Sequence, residues 1–273
     1  MSTQAPETPS LFPHSSADFG DAPLLVGKHT FHSRLIVGTG KYPDFPTMRQ
    51  AHIASGADCV TVALRRVDLK NPENNILNHI DLGRMTLLPN TAGCYTVEEA
   101  VQVGVMVQEM ELGDLIKVEV IGDQKTLMPD PIGTVEATRK LTAMGFTCMS
   151  YCSDDIVLCK RLEEAGAAAV MPLGSPIGSG RGVLNPTNIR LIKDAASVPI
   201  IVDAGVGCAS DCASAMELGV DGLLVNTAIA SAKDPVKMAH AIRMATVAGR
   251  LSFQAGRMDK RLYASASTPL KDF

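Results

Sequence analysis

The chain has 273 residues, a formal net charge of −4, and only 4% aromatic residues with no tryptophan. That length suits one large α/β domain as well as it suits two small ones, and the acidic balance argues against a nucleic-acid-binding surface. No apolar run approaches membrane-spanning length and no signal peptide opens the chain, which together indicate a soluble, cytoplasmic protein without a membrane partner.

Residues 1–22 are rich in Ser, Pro, Thr and Asp without periodicity and read as a disordered extension. Residues 23–273 read as a single domain, entered through a short strand or hairpin over Leu24–Phe31. From Arg34 onward, apolar strand-like runs alternate with amphipathic helical segments. The strands are expected at Leu35–Val37, Cys59–Leu64, Met85–Pro89, Leu115–Ile121, Thr147–Tyr151, Ala168–Met171, Pro199–Asp203 and Gly222–Asn226. Helices are expected between and after them, at Thr47–Ser55, Val97–Glu111, Pro131–Met144, Asp154–Glu164, Pro186–Ala195, Cys208–Glu217 and Pro235–Ala248.

A weak internal repeat supports this division. A helix, then Gly, then a short apolar strand recurs around Gly56, Gly145, Gly166 and Gly219, each where a helix end needs a left-handed residue. Eight strand–helix units in this length predict a (β/α)8 TIM barrel, with a doubly wound open sheet as the alternative pattern.

The organising stretch is Asp114-Leu-Ile-Lys-Val-Glu-Val-Ile-Gly-Asp123. Strand side chains alternate, so Ile116, Val118 and Val120 share the face that packs on helices. Lys117 and Glu119 must then point into whatever the sheet encloses. A desolvated lysine there is expected to have a lowered pKa and hence a neutral fraction able to attack a carbonyl. A structural Lys–Glu pair is the plainer reading.

Further groups fall at the strand ends where a barrel places its chemistry. Leu173-Gly-Ser-Pro-Ile-Gly-Ser-Gly-Arg-Gly182 has four glycines and two serines in ten residues, as a phosphate-cradling loop requires. Val202-Asp-Ala-Gly-Val-Gly207 and Val225-Asn-Thr-Ala228 follow at the next two strand ends, and the three together favour a phosphate site. Asp203 reads either as a loop-anchoring aspartate or as a second acid/base group near Glu119. Arg65-Arg66 reads as a structural salt-bridge site or an anion contact, the residues alone favouring the structural option. Cys94 fits a small buried hydrophobe. The seven cysteines are odd in number and form no C-x-x-C pair, so neither a disulfide framework nor a metal site is expected.

Taken in order, several motifs resemble the bacterial thiazole synthase family of thiamine biosynthesis. They are Val62-Ala-Leu-Arg-Arg66, Leu88-Pro-Asn-Thr-Ala-Gly-Cys94, Ile116-Lys-Val-Glu-Val-Ile-Gly-Asp123, Pro129-Asp-Pro131, Pro176-Ile-Gly-Ser-Gly180, Val202-Asp-Ala-Gly-Val-Gly207, Asn226-Thr-Ala-Ile229 and Arg261-Leu-Tyr-Ala-Ser-Ala-Ser267. The resemblance implies a (β/α)8 enzyme in which Lys117 forms an imine with 1-deoxy-D-xylulose 5-phosphate, with Glu119 and Asp203 as the acid/base carboxylates. It further implies substrate binding at Gly178, Ala204, Gly205, Asn226 and Thr227. The partners it implies are a ubiquitin-like sulfur carrier protein with a C-terminal thiocarboxylate, dehydroglycine as the second substrate, and further copies of the chain in a homo-oligomer. No metal or redox cofactor is called for. Residue chemistry alone leaves open another Schiff-base lysine barrel, such as a class I sugar-phosphate aldolase, or a non-catalytic phospho-ligand scaffold.

Overall fold

A computed structural model describes residues 16–64, 67 and 75–268. Its centre is an eight-stranded parallel sheet: β3 (Leu35–Gly38), β4 (Cys59–Ala63), β5 (Thr86–Asn90), β6 (Leu115–Val118), β7 (Thr147–Cys152), β8 (Ala169–Pro172), β9 (Ile201–Asp203) and β10 (Gly222–Val225). The strands lie in the order β8-β7-β6-β5-β4-β3-β10-β9. The last seam is bridged where Val170 pairs in parallel with Ile200 and its N–H donates to the Pro199 carbonyl at 3.0 Å. The expected barrel is the observed one.

The helices pack outside: α1 (Phe45–Ser55), α2 (Val97–Glu109), α3 (Pro131–Ala143), α4 (Ile156–Glu164), α5 (Pro186–Ala195), α6 (Ala209–Glu217), α7 (Thr227–Ala230) and α8 (Pro235–Ala255). Their starts carry local signals. Asp44, Thr96, Asp130, Asp155, Asn185 and Asp234 each cap a helix by accepting from a backbone N–H of its first turn. At their ends, Gly56, Gly145, Gly166 and Gly219 all have left-handed backbone, as the repeat predicted. No described helix is long and apolar enough to cross a membrane.

The two faces of β6 divide as side-chain alternation requires. Ile116, Val118 and, just past the strand, Val120 pack with Val103 and Val107 of α2 and with Ala137 and Leu141 of α3. Leu115 instead joins Ile36, Leu88, Met149, Met171, Ile201 and Leu224 in a second apolar layer inside the barrel. That layer is closed from below by a hairpin of β1 (Leu24–Val26) and β2 (His29–Phe31), whose Leu24, Val26 and Phe31 are buried against it. Each such side chain contributes roughly 1.5–3 kcal/mol, so the plug is firmly held and the lower end of the barrel is shut. Any pocket must open at the other end.

Several boundaries differ from the sequence expectation. The β6 ladder stops at Val118, so Glu119 lies beyond the strand, where the chain turns to pair with Thr91. The connection from β4 to β5 contains the 3-10 turn Ile76–His79 and no α-helix among its described residues. The final helix runs on to Ala255 because its apolar face continues against α1 and α6. Part of the 1–22 stretch falls among the described residues. Residues 16–19 form a 3-10 turn, and Asp21 is buried beneath Arg34 and Arg250, with Arg34 Nε 2.5 Å from Asp21 Oδ2 and Arg250 Nη2 3.0 Å from Oδ1. Residues 1–15 and the Arg65-Arg66 pair lie outside the described residues.

Candidate active site

Lys117 enters the barrel from β6 with its side chain above the inner apolar layer. Its Nζ is 2.6 Å from Asp203 Oδ2 and 3.3 Å from Glu119 Oε2, and the ammonium sits 5.2 Å from the centre of the Tyr151 ring. All three ionisable residues are buried, at 6% (Lys117), 5% (Glu119) and 3% (Asp203) exposure. Asp203 is the last residue of β9, three strands away around the barrel. Glu119 is fixed through its backbone: its N–H donates to Thr91 Oγ1 at 2.8 Å, and that hydroxyl donates to the Glu119 carbonyl at 2.7 Å.

The electrostatics correct one sequence expectation. Burial does push the Lys117 pKa down, and it is the largest single influence. The combined attraction of Asp203 and Glu119 exceeds it, and the pKa ends above its ordinary value. Burial raises Asp203, against the opposing pull of the Lys117 charge. At rest Lys117 is therefore an ammonium, facing a carboxylate with an unusually high appetite for protons. The Tyr151 phenol, also raised by burial and then by the nearby carboxylates, stays neutral, and its hydroxyl meets no hydrogen-bond partner among the described residues.

Beside this triad, three loops of small residues converge. Gly178 has left-handed backbone at φ 72°, and Ala204 and Gly205 follow one another at φ 73° and 87°. Consecutive residues of this kind turn backbone N–H groups toward a shared concavity that suits an anion. A left-handed alanine costs on the order of 1–3 kcal/mol, a strain that clusters at functional sites. At Gly205 only glycine fits, since a Cβ would lie 2.1 Å from Ser175 Oγ. The loops are tied together by Gly182 N–H to the Gly205 carbonyl at 2.8 Å and Gly174 N–H to the Ala204 carbonyl at 3.2 Å. Asn226, just after β10, crosses so close to Gly38 that a Cβ there would lie 2.7 Å from Asn226 Cβ, and its buried Oδ1 meets no donor among the described residues.

These parts surround one open cavity of about 730 Å³ at the carboxyl ends of the strands. Lys117, Glu119, Gly178, Asp203, Ala204, Gly205, Asn226 and Thr227 all line it, so the residues singled out in the sequence come together in space. Cys94 does not line it: its thiol is buried in the helix-facing core with Ile116 and Val118. Sequence reasoning missed Asn90 and Thr61, which line the cavity and are linked by Asn90 Nδ2 donating to Thr61 Oγ1 at 2.7 Å. It also missed Tyr151, and Lys41 at the rim. Asn90 is the strand partner of Lys117, a pairing that only the sheet register reveals.

A (β/α)8 barrel, sealed below and open above onto a lysine held between two carboxylates, has the build of a barrel enzyme with its chemistry at the strand ends. A family model described as "Thiazole biosynthesis protein ThiG" matches residues 25–269. The chain is 57% identical over 247 residues to the thiazole synthase of Sorangium cellulosum, covering 90% of this chain and 95% of that one. It is 56% identical over 249 residues to the thiazole synthase of Solibacter usitatus, covering 90% and 96%. Among solved structures, the Amycolatopsis orientalis BexX/CysO complex matches with a TM-score of 0.80 and 34% identity, over 89% of this chain and 100% of that one. The chain belongs to the thiazole synthase family of thiamine biosynthesis.

Proposed function

We propose that this thiazole synthase builds its product on Lys117. The amine forms an imine with the ketone of 1-deoxy-D-xylulose 5-phosphate, while the phosphate rests on the cradle of Gly178, Ala204, Gly205, Asn226 and Thr227. The observation that carries this reading is the buried contact between Lys117 Nζ and Asp203 Oδ2 at the cavity floor.

The proton inventory supports it. The ammonium must lose a proton before its nitrogen can attack the carbonyl carbon. Asp203 lies within reach and has its proton affinity raised by burial, so it accepts that proton. The proton then returns to the carbinolamine oxygen, which leaves as water. In the resulting iminium, cationic nitrogen again faces the two carboxylates, so the charge pattern of the resting site is restored. The iminium acidifies the adjacent C–H bonds. Glu119 and Asp203, on either side of the nitrogen, can relay protons as carbonyl character moves along the sugar carbons. The phosphate anchors the chain of reacting atoms and keeps them in register with these groups.

Sulfur is delivered by the C-terminal thiocarboxylate of a ubiquitin-like carrier protein, and dehydroglycine supplies the remaining carbon and nitrogen of the thiazole phosphate carboxylate. The family membership supports the carrier, as does the structural match to a protein solved as the BexX/CysO complex. The enzyme works in the cytoplasm as a homo-oligomer.

Borohydride reduction in the presence of 1-deoxy-D-xylulose 5-phosphate, followed by peptide mass mapping, tests the imine. A stable adduct on the Lys117 peptide is expected, and Lys117→Arg should abolish it while keeping the fold. Ligand binding without an adduct on any lysine would sink the reading.

A further inference from the structure

Lys41 is the least explained residue at the cavity mouth. It follows Gly38-Thr39-Gly40 at the end of β3 and has left-handed backbone at φ 68°, costly for a residue with a side chain. Among the described residues its exposed side chain makes no ion pair that would repay that strain. What the strain does achieve is direction. Lys41 Nζ lies 3.6 Å from where a Cβ on Gly178 would be, over the rim of the glycine cradle.

The loop bearing it is held from behind. The buried His52 ring donates from Nε2 to the Gly38 carbonyl at 3.0 Å, and Tyr42 packs edge-on against that ring at 5.6 Å. Asp44 then caps α1 by accepting from the Thr47 N–H at 2.7 Å. The chain on both sides of Lys41 is thus fixed, and its side chain alone is left to swing.

The charge inventory of the cavity gives that side chain a purpose. The charged residues lining it are Lys41, Lys117, Glu119 and Asp203. Lys117 is already engaged by both carboxylates. Without Lys41, the pocket would present a dicarboxylate and one committed cation to an incoming anion, a field that works against binding. Lys41 is the cation among the described lining residues that has no carboxylate partner, and it stands at the cradle rather than at the imine centre.

We propose that Lys41 is a positioning and specificity residue that closes over the substrate's phosphate, making the site selective for a phosphorylated ketose over its dephosphorylated form. This rests on the reading of the barrel mouth as a ketose phosphate site. Lys41 contributes a movable point charge, and the Gly178 and Ala204-Gly205 backbone contributes fixed donors. The contact is solvent-exposed, so its strength falls as salt rises.

The test is calorimetric titration of the full chain with glycerol 3-phosphate, which has the phosphate monoester but no ketone and so does not depend on imine chemistry. Wild type, Lys41→Gln and Lys41→Arg are compared at low and high salt, with borohydride trapping of the ketose phosphate run in parallel. Lys41→Gln should weaken binding on the order of tenfold, as expected for loss of one charge-assisted hydrogen bond, and should flatten its salt dependence. Lys41→Arg should stay within about threefold of wild type, since it keeps the charge at the same place. Trapping of the dephosphorylated ketose should be the same in all three proteins. Three results would overturn the proposal: equal affinity in wild type and Lys41→Gln, equal weakening by both substitutions, or no saturable binding by wild type. A defect confined to the carrier-dependent step would overturn it as well. If wild type fails to trap on Lys117 while the variants still differ toward glycerol 3-phosphate, the imine reading falls and the role of Lys41 stands.

Discussion

Lys117 Nζ and Asp203 Oδ2 lie 2.6 Å apart, joining β6 to β9 across the barrel mouth. The pair sets the chemistry of the site. Burial alone would lower the Lys117 pKa. With Asp203 and Glu119 beside it, the stored form is an ammonium next to a ready proton acceptor. On the imine proposal, nucleophilicity is released by moving one proton over this short contact, not held permanently in a free amine open to stray carbonyl compounds.

Competitive labelling of Lys117 with a small neutral acylating reagent should show this directly. Its pKa lies above the ordinary 10.5, so reactivity should still be climbing with pH where other lysines have levelled off. Asp203→Asn removes one of the two charges that favour the ammonium while leaving burial in place. Its labelling curve should shift toward lower pH. The same linkage applies to stability. A lysine whose folded pKa is raised adds stability that is fully present below about 10.5 and is lost as pH rises through the folded value, so alkaline unfolding should begin earlier in Asp203→Asn. An unshifted labelling curve would remove Asp203 as the partner that matters.

Catalysis in Asp203→Asn should move the opposite way from amine reactivity. The variant has more neutral amine at pH 8 but lacks the carboxyl that returns a proton to the carbinolamine oxygen as it leaves as water. Imine formation should slow by about 10²–10⁴, the usual worth of a positioned acid/base group. Rapid-quench borohydride trapping gives that rate. A variant that trapped faster than wild type would show that supplying free amine, and not relaying protons, limits the step.

Gly205→Ala should damage the cradle while sparing the lysine centre. Its φ of 87° disfavours any side chain, and the new Cβ would meet Ser175 Oγ at 2.1 Å. Strain of this kind costs about 1–3 kcal/mol, and the loops that must shift are those that hold Gly178. The expectation is a lower melting temperature and a raised KM for the ketose phosphate, with Lys117 labelling unchanged. Normal KM together with lost stability would place Gly205 in folding alone.

How much of this could be read in the sequence depended on the range of the interaction. Ile116, Val118 and Val120 required Lys117 and Glu119 to face inward, because alternation is a local rule and the aliphatic side had to meet helices. The four glycines ending helices were legible for the same reason. The direction of the Lys117 pKa was not, because it depends on Asp203 arriving from β9 through closure of the barrel. Asn90 and Thr61 are isolated polar side chains within largely apolar strands, and only register puts them beside the lysine. Lys41 carried no periodic signal at all: its meaning lies in a backbone angle and in proximity to Gly178. Asp21 stood in a polar stretch that reads as tail, and its partners Arg34 and Arg250 lie far from it along the chain.

Asp21 supplies a last prediction, on stability and not chemistry. Its carboxylate receives Arg34 Nε at 2.5 Å, Arg250 Nη2 at 3.0 Å and Gln254 Nε2 at 2.6 Å. Arg34 reaches on to the Asp221 carbonyl at 2.8 Å and the Ala22 carbonyl at 2.7 Å, so one buried cluster ties the start of the domain to α8 and to the turn before β10. Asp21→Ala would leave the Arg34 guanidinium, buried at 6% side-chain exposure, without its counter-charge. Breaking such a pair from one side typically costs about 3–5 kcal/mol, because a charge is stranded away from water. Arg250 is more open, at 15%, and can recover part of its hydration. The cluster lies at the closed end of the barrel, away from the cavity, so the kcat of the folded fraction should be unchanged. Deleting residues 1–20 keeps every one of these contacts and should leave the urea midpoint near that of the full chain, whereas deleting residues 1–22 should reproduce the Asp21→Ala loss. Equal midpoints for the two deletions would show that Asp21 does not anchor the domain.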